Sequence, residues 1–249
     1  VYADEELEMV CSKAWPPVVG EPLGQWRLRW ADGFTGRANS ALAVGDPGMT
    51  VPAALAAVCD FAHARAIPPA VQVVQDSEQE RAVAAAGWGE QVGHAAGHRV
   101  SVLTGPLPAG PGPGAEVLDG PTSQWWELTV GTSEPSVAER HVMTTGKVGY
   151  GVVSADGVTA GAVRGAIVDG WLHVSRLAVR PDFRRRGLAR AVLYALAAWG
   201  RAQGAEQWVL QVAVDNTGAL ALYSGLGCTE HHRYRYWGPG QRTCEDPQS

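Results

Sequence analysis

Arg184-Arg185-Arg186-Gly187-Leu188-Ala189 follows the apolar run Leu177-Ala178-Val179 and opens a helical pattern that extends to about Ala202. A strand, a short turn rich in arginine and glycine, then a helix make a socket for a pyrophosphate. The first-turn amides lack intrahelical acceptors, and the helix dipole favours negative charge there. Glycine lets a ligand approach the backbone where a side chain would block it. Arg176, Arg180 and Arg190 crowd the same segment, in a chain whose formal net charge is -5. An arginine cluster alone reads as easily as a solvated turn, so the surrounding elements must decide.

Downstream, Trp208-Val209-Leu210-Gln211-Val212-Ala213-Val214 reads as a strand and 217–224 as a helix; 231–237 alternates as a last strand. Upstream, 148–154 and 159–168 form a hairpin through Ala155-Asp156-Gly157. Two short helices precede it, one capped by Thr122 or Ser123, the other over 136–143. Its tryptophans, Trp125 and Trp126, are open to two roles: facing an acceptor, or filling the core and an interdomain seam.

Gly105-Pro106-Leu107-Pro108-Ala109-Gly110-Pro111-Gly112-Pro113-Gly114 sustains neither a helix nor a central strand and reads as a surface linker. Before it, a strand at 39–44, a helix over 51–66, a strand at 70–74 and a helix over 77–87 repeat the order of the second half. Strands at 26–30 and 98–104 complete that half. Ser40-Ala41-Leu42-Ala43-Val44 echoes Ser175-Arg176-Leu177-Ala178-Val179, which points to duplication. The first copy lacks an arginine cluster near 46–50 and a tyrosine on its second helix, so it is expected to have kept the fold and lost most of the ligand site.

The chain of 249 residues, 46% hydrophobic, supports one large domain or two ordinary ones. Its acidic balance argues against nucleic acid as a general partner. Cys11, Cys59, Cys228 and Cys244 are spaced like neither a disulfide scaffold nor a zinc ribbon, and free thiols are expected. No apolar run approaches membrane-spanning length and the acidic start carries no leader pattern, so a cytoplasmic protein that engages no membrane is expected. No metal is expected: His94 and His98 are flanked by glycines, and His231 and His232, adjacent in a strand, should face opposite ways. A Gly-x-Ser-x-Gly elbow and the dinucleotide and Walker signatures are absent, so hydrolases and nucleotide-binding folds have no anchor.

Three segments in order resemble the Gcn5-related N-acetyltransferase (GNAT) superfamily: Leu177-Ala178-Val179-Arg180-Pro181, then Arg184-Arg185-Arg186-Gly187-Leu188-Ala189, then Asn216 to Gly227 with Leu222-Tyr223 inside it. The likeness covers about residues 115–239, and the first half by echo alone. It implies an α/β (α+β) fold of the tandem-domain actinobacterial type. On that reading a degenerate GNAT-like domain spans 1–104, a linker 105–114 and a catalytic domain 115–249. Each domain would be a twisted mixed sheet flanked by helices. The catalytic one would splay between its fourth strand, 172–179, and its fifth, 208–214.

The resemblance further implies transfer of an acetyl group from acetyl-CoA to a primary amine of a small molecule, by direct attack in a ternary complex of a monomer or homodimer. Backbone groups of Leu177, Ala178 and Val179 would pair with pantetheine, and the amide of Leu177 would polarise the thioester oxygen. Arg184, Arg185, Arg186, Gly187, Leu188 and Ala189 would hold the pyrophosphate, with Asn216 beside the pantetheine. Tyr223 would protonate the departing thiolate. Where many relatives carry an acid on the fourth strand, this chain carries His173 and Ser175, on one side with Leu177. His173 is open to two roles, proton relay and pocket lining; Glu206 and Glu230 are weaker bases. The rival readings are an inactive acyl-CoA-binding protein and transfer from another acyl donor, such as charged tRNA.

Overall fold

A computed structural model describes residues 3–93 and 97–240. The order begins α1 (Asp4–Ala14), β1 (Val19–Leu23), β2 (Trp26–Trp30), β3 (Ala41–Ala43), α2 (Val51–His63), β4 (Val71–Val74), α3 (Glu78–Ala85), β5 (Trp88–Glu90) and β6 (Arg99–Pro106). It continues β7 (Ala115–Leu118), α4 (Ser123–Thr129), α5 (Val137–Thr144), β8 (Lys147–Ala155), β9 (Val158–Val168), β10 (Trp171–Val179), α6 (Leu188–Ala202), β11 (Gln207–Ala213), α7 (Thr217–Ser224) and β12 (Thr229–Pro239).

The strands form one hydrogen-bonded path, β1-β2-β3-β4-β12-β6-β11-β10-β9-β8-β7, with β5 also on β12. This overturns the expected pair of tandem domains with a sheet each, and the expected degenerate first copy gains no support. The last strand shows why. β4 is buried along its whole length, and β12 pairs antiparallel with it from Tyr234↔Val74 to Trp237↔Val71. An apolar strand left as an open edge would expose unpaired amides, so the first half draws its missing strand from the far end of the sequence.

Two compact units result, neither continuous in sequence: 1–102 with 212–220 and 230–249, and 103–211 with 221–229. In the first, Ala54, Leu55, Val58, Cys59 and Phe61 of α2 are buried at helical spacing, in one core with Trp26, Val71, Val73 and Val83. Ser77 caps α3 by accepting from the Glu80 amide at 3.0 Å. Cys11 and Cys228 are free, as expected, and buried; His94 and Cys244 lie outside the described residues.

In the second unit β7, β8, β9 and β10 follow one another antiparallel. The β8–β9 turn places Asp156 and Gly157 at φ 51° and 77°; Asp169 and Gly170 do the same between β9 and β10 at 48° and 81°. Both are two-residue turns with left-handed central positions, where Asp-Gly is favoured. Glycines bring α6 close to the sheet: a Cβ at Gly149 or Gly165 would lie 2.8 Å from Trp199 or Leu196. The stretch after β6 lies against the same helix, since Arg201 Nη2 donates to the Leu107 carbonyl at 3.1 Å and Gly112 abuts the Ala191 carbonyl.

Burial raises the phenol pKa of Tyr150, Tyr223, Tyr234 and Tyr236. Groups raised in the folded chain leave stability intact below their unfolded value, about 10 for tyrosine, and withdraw it as pH rises further. The thermal midpoint is therefore expected to begin to fall above about pH 8, where the unfolded chain's Cys11 and Cys228 thiols ionise while burial holds the folded ones protonated, and to fall steeply above about pH 10. Circular dichroism melts across that range check it, and a flat midpoint would contradict the assignment.

Candidate active site

β10 changes character at its middle. Trp171 to Val174 are buried and pair in parallel with Gln207 to Leu210 of β11. That pairing stops there, although β10 continues to Val179, and Ser175 to Val179 are partly exposed. Opposite β9 the register slips between Ser175 and Ala178, where Arg176 sits at φ 57°. A bulge of this kind bends a strand and raises its twist. The two strands thus part from Ser175 onward and leave a segment of β10 backbone open to a ligand.

Side chains follow the same division. His173 is fully buried in the paired portion, its Nε2 3.4 Å from Gln211 Oε1. Ser175, two residues on, carries a buried Oγ that makes no hydrogen bond. A buried hydroxyl left unsatisfied costs about 1–3 kcal/mol, so it marks a place where a partner is expected. Gln211 was not singled out from the sequence, yet a polar residue inside Trp208-Val209-Leu210-Gln211-Val212 is itself a signal.

Beyond β10, Pro181 to Phe183 make one 3-10 turn and the chain reaches Gly187, the left-handed N-cap of α6 at φ 79°. Arg185 also lies at positive φ, 64°, a strained conformation for a non-glycine residue and common at ligand clamps. No side chain caps α6, and its first intrahelical bond runs from the Ala191 amide to the Gly187 carbonyl at 3.1 Å. The amides of Leu188, Ala189 and Arg190 therefore point into the turn without an intrahelical acceptor. A Cβ at Gly187 would meet nothing within 4 Å, so the ground before them is open.

Most of the arginines have structural partners. Arg180 Nε donates to the Thr159 carbonyl at 2.8 Å, Arg184 Nε to Val179 at 3.3 Å and Arg190 Nη1 to Gly225 at 3.3 Å. Arg186 lies 3.5 Å from Asp156 and over the Phe183 ring. These guanidinium groups hold the turn in shape.

Tyr223, on α7, is buried with its ring edge-on to Trp208, centroids 6.1 Å apart. Loss of solvent pushes its phenol well above the ordinary tyrosine value, with Cys228 adding to the rise. Desolvation also lifts the Cys228 thiol to about 11, with the neighbouring Trp208 opposing the rise. β10, the α6 N-terminus and Tyr223 all belong to the second unit.

Other candidates sit elsewhere. Asn216 belongs to the first unit and accepts from the Ala219 amide at 3.1 Å, the role of a helix cap. Glu230 accepts from Ser101 at 2.7 Å and from Arg233 at 2.9 Å, while Glu206 is exposed. Trp125 and Trp126 are both buried, with Trp125 Nε1 donating to the Val163 carbonyl at 3.1 Å, so they are core and do not face an acceptor. Beside them Arg164 is fully buried and closes the C-terminus of α5 on the Met143 and Val142 carbonyls; desolvation lowers its pKa to about 10. His231 and His232 depart from the expected opposite orientation: their Nδ1 atoms are 2.9 Å apart, because Asp4 draws one ring and Glu8 the other.

Among the described residues, no helix is long and apolar enough to cross a membrane. The sequence profile of the family described as "Probable histone acetyltransferase Rv0428c C-terminal" matches residues 5–237. A curated relative, the uncharacterized N-acetyltransferase YobR of Bacillus subtilis (strain 168), is 33% identical over 70 residues, which is 27% of this chain and 28% of that protein. A GCN5-related N-acetyltransferase from Kribbella flavida superposes with a TM-score of 0.68 at 18% identity, covering 94% of this chain and 95% of its own. A putative GNAT-family acetyltransferase from Novosphingobium aromaticivorans gives 0.55 at 19%, covering 93% and 97%. The parted strands, the glycine-capped helix and the profile match agree: this chain has the GNAT acetyltransferase fold and belongs to the Rv0428c C-terminal family of probable histone acetyltransferases.

Proposed function

We propose that this chain transfers an acetyl group from acetyl-CoA to a primary amine by direct attack in a ternary complex. The observation that carries the reading is β10, which loses β11 after Val174 and leads into the exposed amides at the start of α6. The backbone of Leu177, Ala178 and Val179 would extend the sheet to the pantetheine amides. Leu188 and Ala189 amides would take the pyrophosphate behind Gly187, with Arg184, Arg185 and Arg186 shaping the turn and adding positive charge. Asn216, in the first unit, serves as the cap of its helix.

The chemistry needs three services. The amine nitrogen attacks the thioester carbonyl, a C–N bond forms and the C–S bond breaks. The Leu177 amide would meet the charge that develops on oxygen. The Tyr223 phenol, held protonated by burial, would give its proton to the leaving thiolate. The proton lost by the ammonium would pass through water to the His173 imidazole, with Ser175 Oγ, at the open part of β10, holding that water and Gln211 beside the ring.

Ser175→Ala tests that path. Removing an unsatisfied buried hydroxyl is expected to leave the apo protein unchanged or more stable, by up to about 1 kcal/mol, while lowering turnover. Equal loss of stability and activity would make Ser175 a structural residue.

The family's description favours a second acceptor, a lysine ε-amine on a basic protein. A panel of small primary amines and a histone-tail peptide, read by release of free CoA, separates the two. Tight CoA binding without release on any acceptor would replace both by a binding protein.

A further inference from the structure

We propose that Asp4, His231 and His232 bind a zinc-class divalent cation that ties the first helix to the last strand of the first unit. Asp4 opens α1, and the two histidines lie near the start of β12. Their ligand atoms converge: His231 Nδ1 is 2.9 Å from His232 Nδ1 and 3.3 Å from Asp4 Oδ1, and His232 Nδ1 is 3.8 Å from that same oxygen. Ligands about 2.1 Å from a tetrahedral ion stand about 3.4 Å from one another, so these separations bracket what the ion requires. Two imidazole nitrogens and one carboxylate oxygen suit zinc, cobalt or nickel, and suit calcium and magnesium poorly.

The groups behind the ligands are already arranged. His232 Nε2 lies 2.8 Å from Glu8 Oε1, and Glu8 is fully buried. A carboxylate there keeps the ring proton on Nε2 and turns the Nδ1 lone pair toward the cluster, the support that metal-ligating histidines regularly carry. Glu8 in turn accepts from Gln72 Nε2 at 2.5 Å, and Gln72 Oε1 accepts from Arg29 Nη2 at 2.9 Å. Glu8, Gln72 and Arg29 are all at most 2% exposed, which fixes the ligand from behind. Asp4 is half exposed and His231 partly so, giving an entry path and room for a water as the fourth ligand. The site is independent of the acyl-transfer reading.

The test uses the full untagged chain, stripped with chelator and titrated with zinc by calorimetry and with cobalt by visible absorption. One equivalent of zinc, a tetrahedral cobalt spectrum and a raised thermal midpoint are expected. His231→Ala and Asp4→Ala, both at accessible positions, are expected to abolish the cobalt band while leaving the metal-free melt unchanged. Glu8→Gln should weaken zinc by about 10–100-fold with the ligands intact. The proposal is overturned if the wild type takes up no zinc, or if His231→Ala binds it as tightly. A metal-free melt that drops in His231→Ala, with no zinc uptake by the wild type, would make the cluster a hydrogen-bonded latch.

Discussion

Tyr223→Phe is expected to lower turnover by about 10²–10⁴-fold while leaving acetyl-CoA affinity unchanged. The ring is buried on α7 against Trp208, and phenylalanine fills the same space, so the fold and the substrate cleft should survive. What disappears is the proton donor. Burial raises the phenol pKa, so the hydroxyl stays protonated through neutral pH and far into the alkaline range. The thiolate it would protonate is formed only as the C–S bond breaks, which places the effect on turnover and spares binding. Calorimetry with CoA beside a thiol-release assay separates the two quantities. Wild-type turnover in the variant would remove Tyr223 from the chemistry.

Gly187→Glu is expected to weaken CoA binding by at least about 100-fold, the equivalent of two tenfold steps of about 1.4 kcal/mol each. The new carboxylate would stand before the amides of Leu188 and Ala189 and compete with a diphosphate for them. Gly187 also holds φ 79°, which any other residue adopts at a cost. Because a Cβ there meets no atom within 4 Å, the side chain fits without disturbing α6. Gly187→Ala isolates the backbone strain, since it brings no charge. Unchanged CoA affinity in Gly187→Glu would move the diphosphate to another surface.

Local chemistry made much of the chain legible. Thr122 accepts from the Trp125 amide at 3.2 Å, and Ser136 forms a reciprocal capping box with Glu139, so both short helices start where their caps announce them. Asp156-Gly157 turns the β8–β9 hairpin, and Asp169-Gly170, a signal of the same kind that was passed over, turns the next. The helix after Gly187 begins at Leu188 because the left-handed glycine ends the preceding turn. Helix α1 was missed for want of a capping side chain, since Ala3 stands at its N-cap. Likewise β1, β5 and β7 are short and lack a strong alternation of their own.

By itself, then, the sequence determined the elements whose signals are local, along with the strand, turn and helix that make the candidate diphosphate socket. Tertiary structure alone decided which strands pair: β12 completes the edge of β4, so an expected pair of sheets became one path. It also brought Asp4 to His231 and His232, and opened β10 at Ser175 by ending its pairing with β11. Caps and turns depend on neighbours a few residues away, which a sequence displays. Strand partners and converging ligands depend on which distant surfaces must be covered, and only the folded chain settles that.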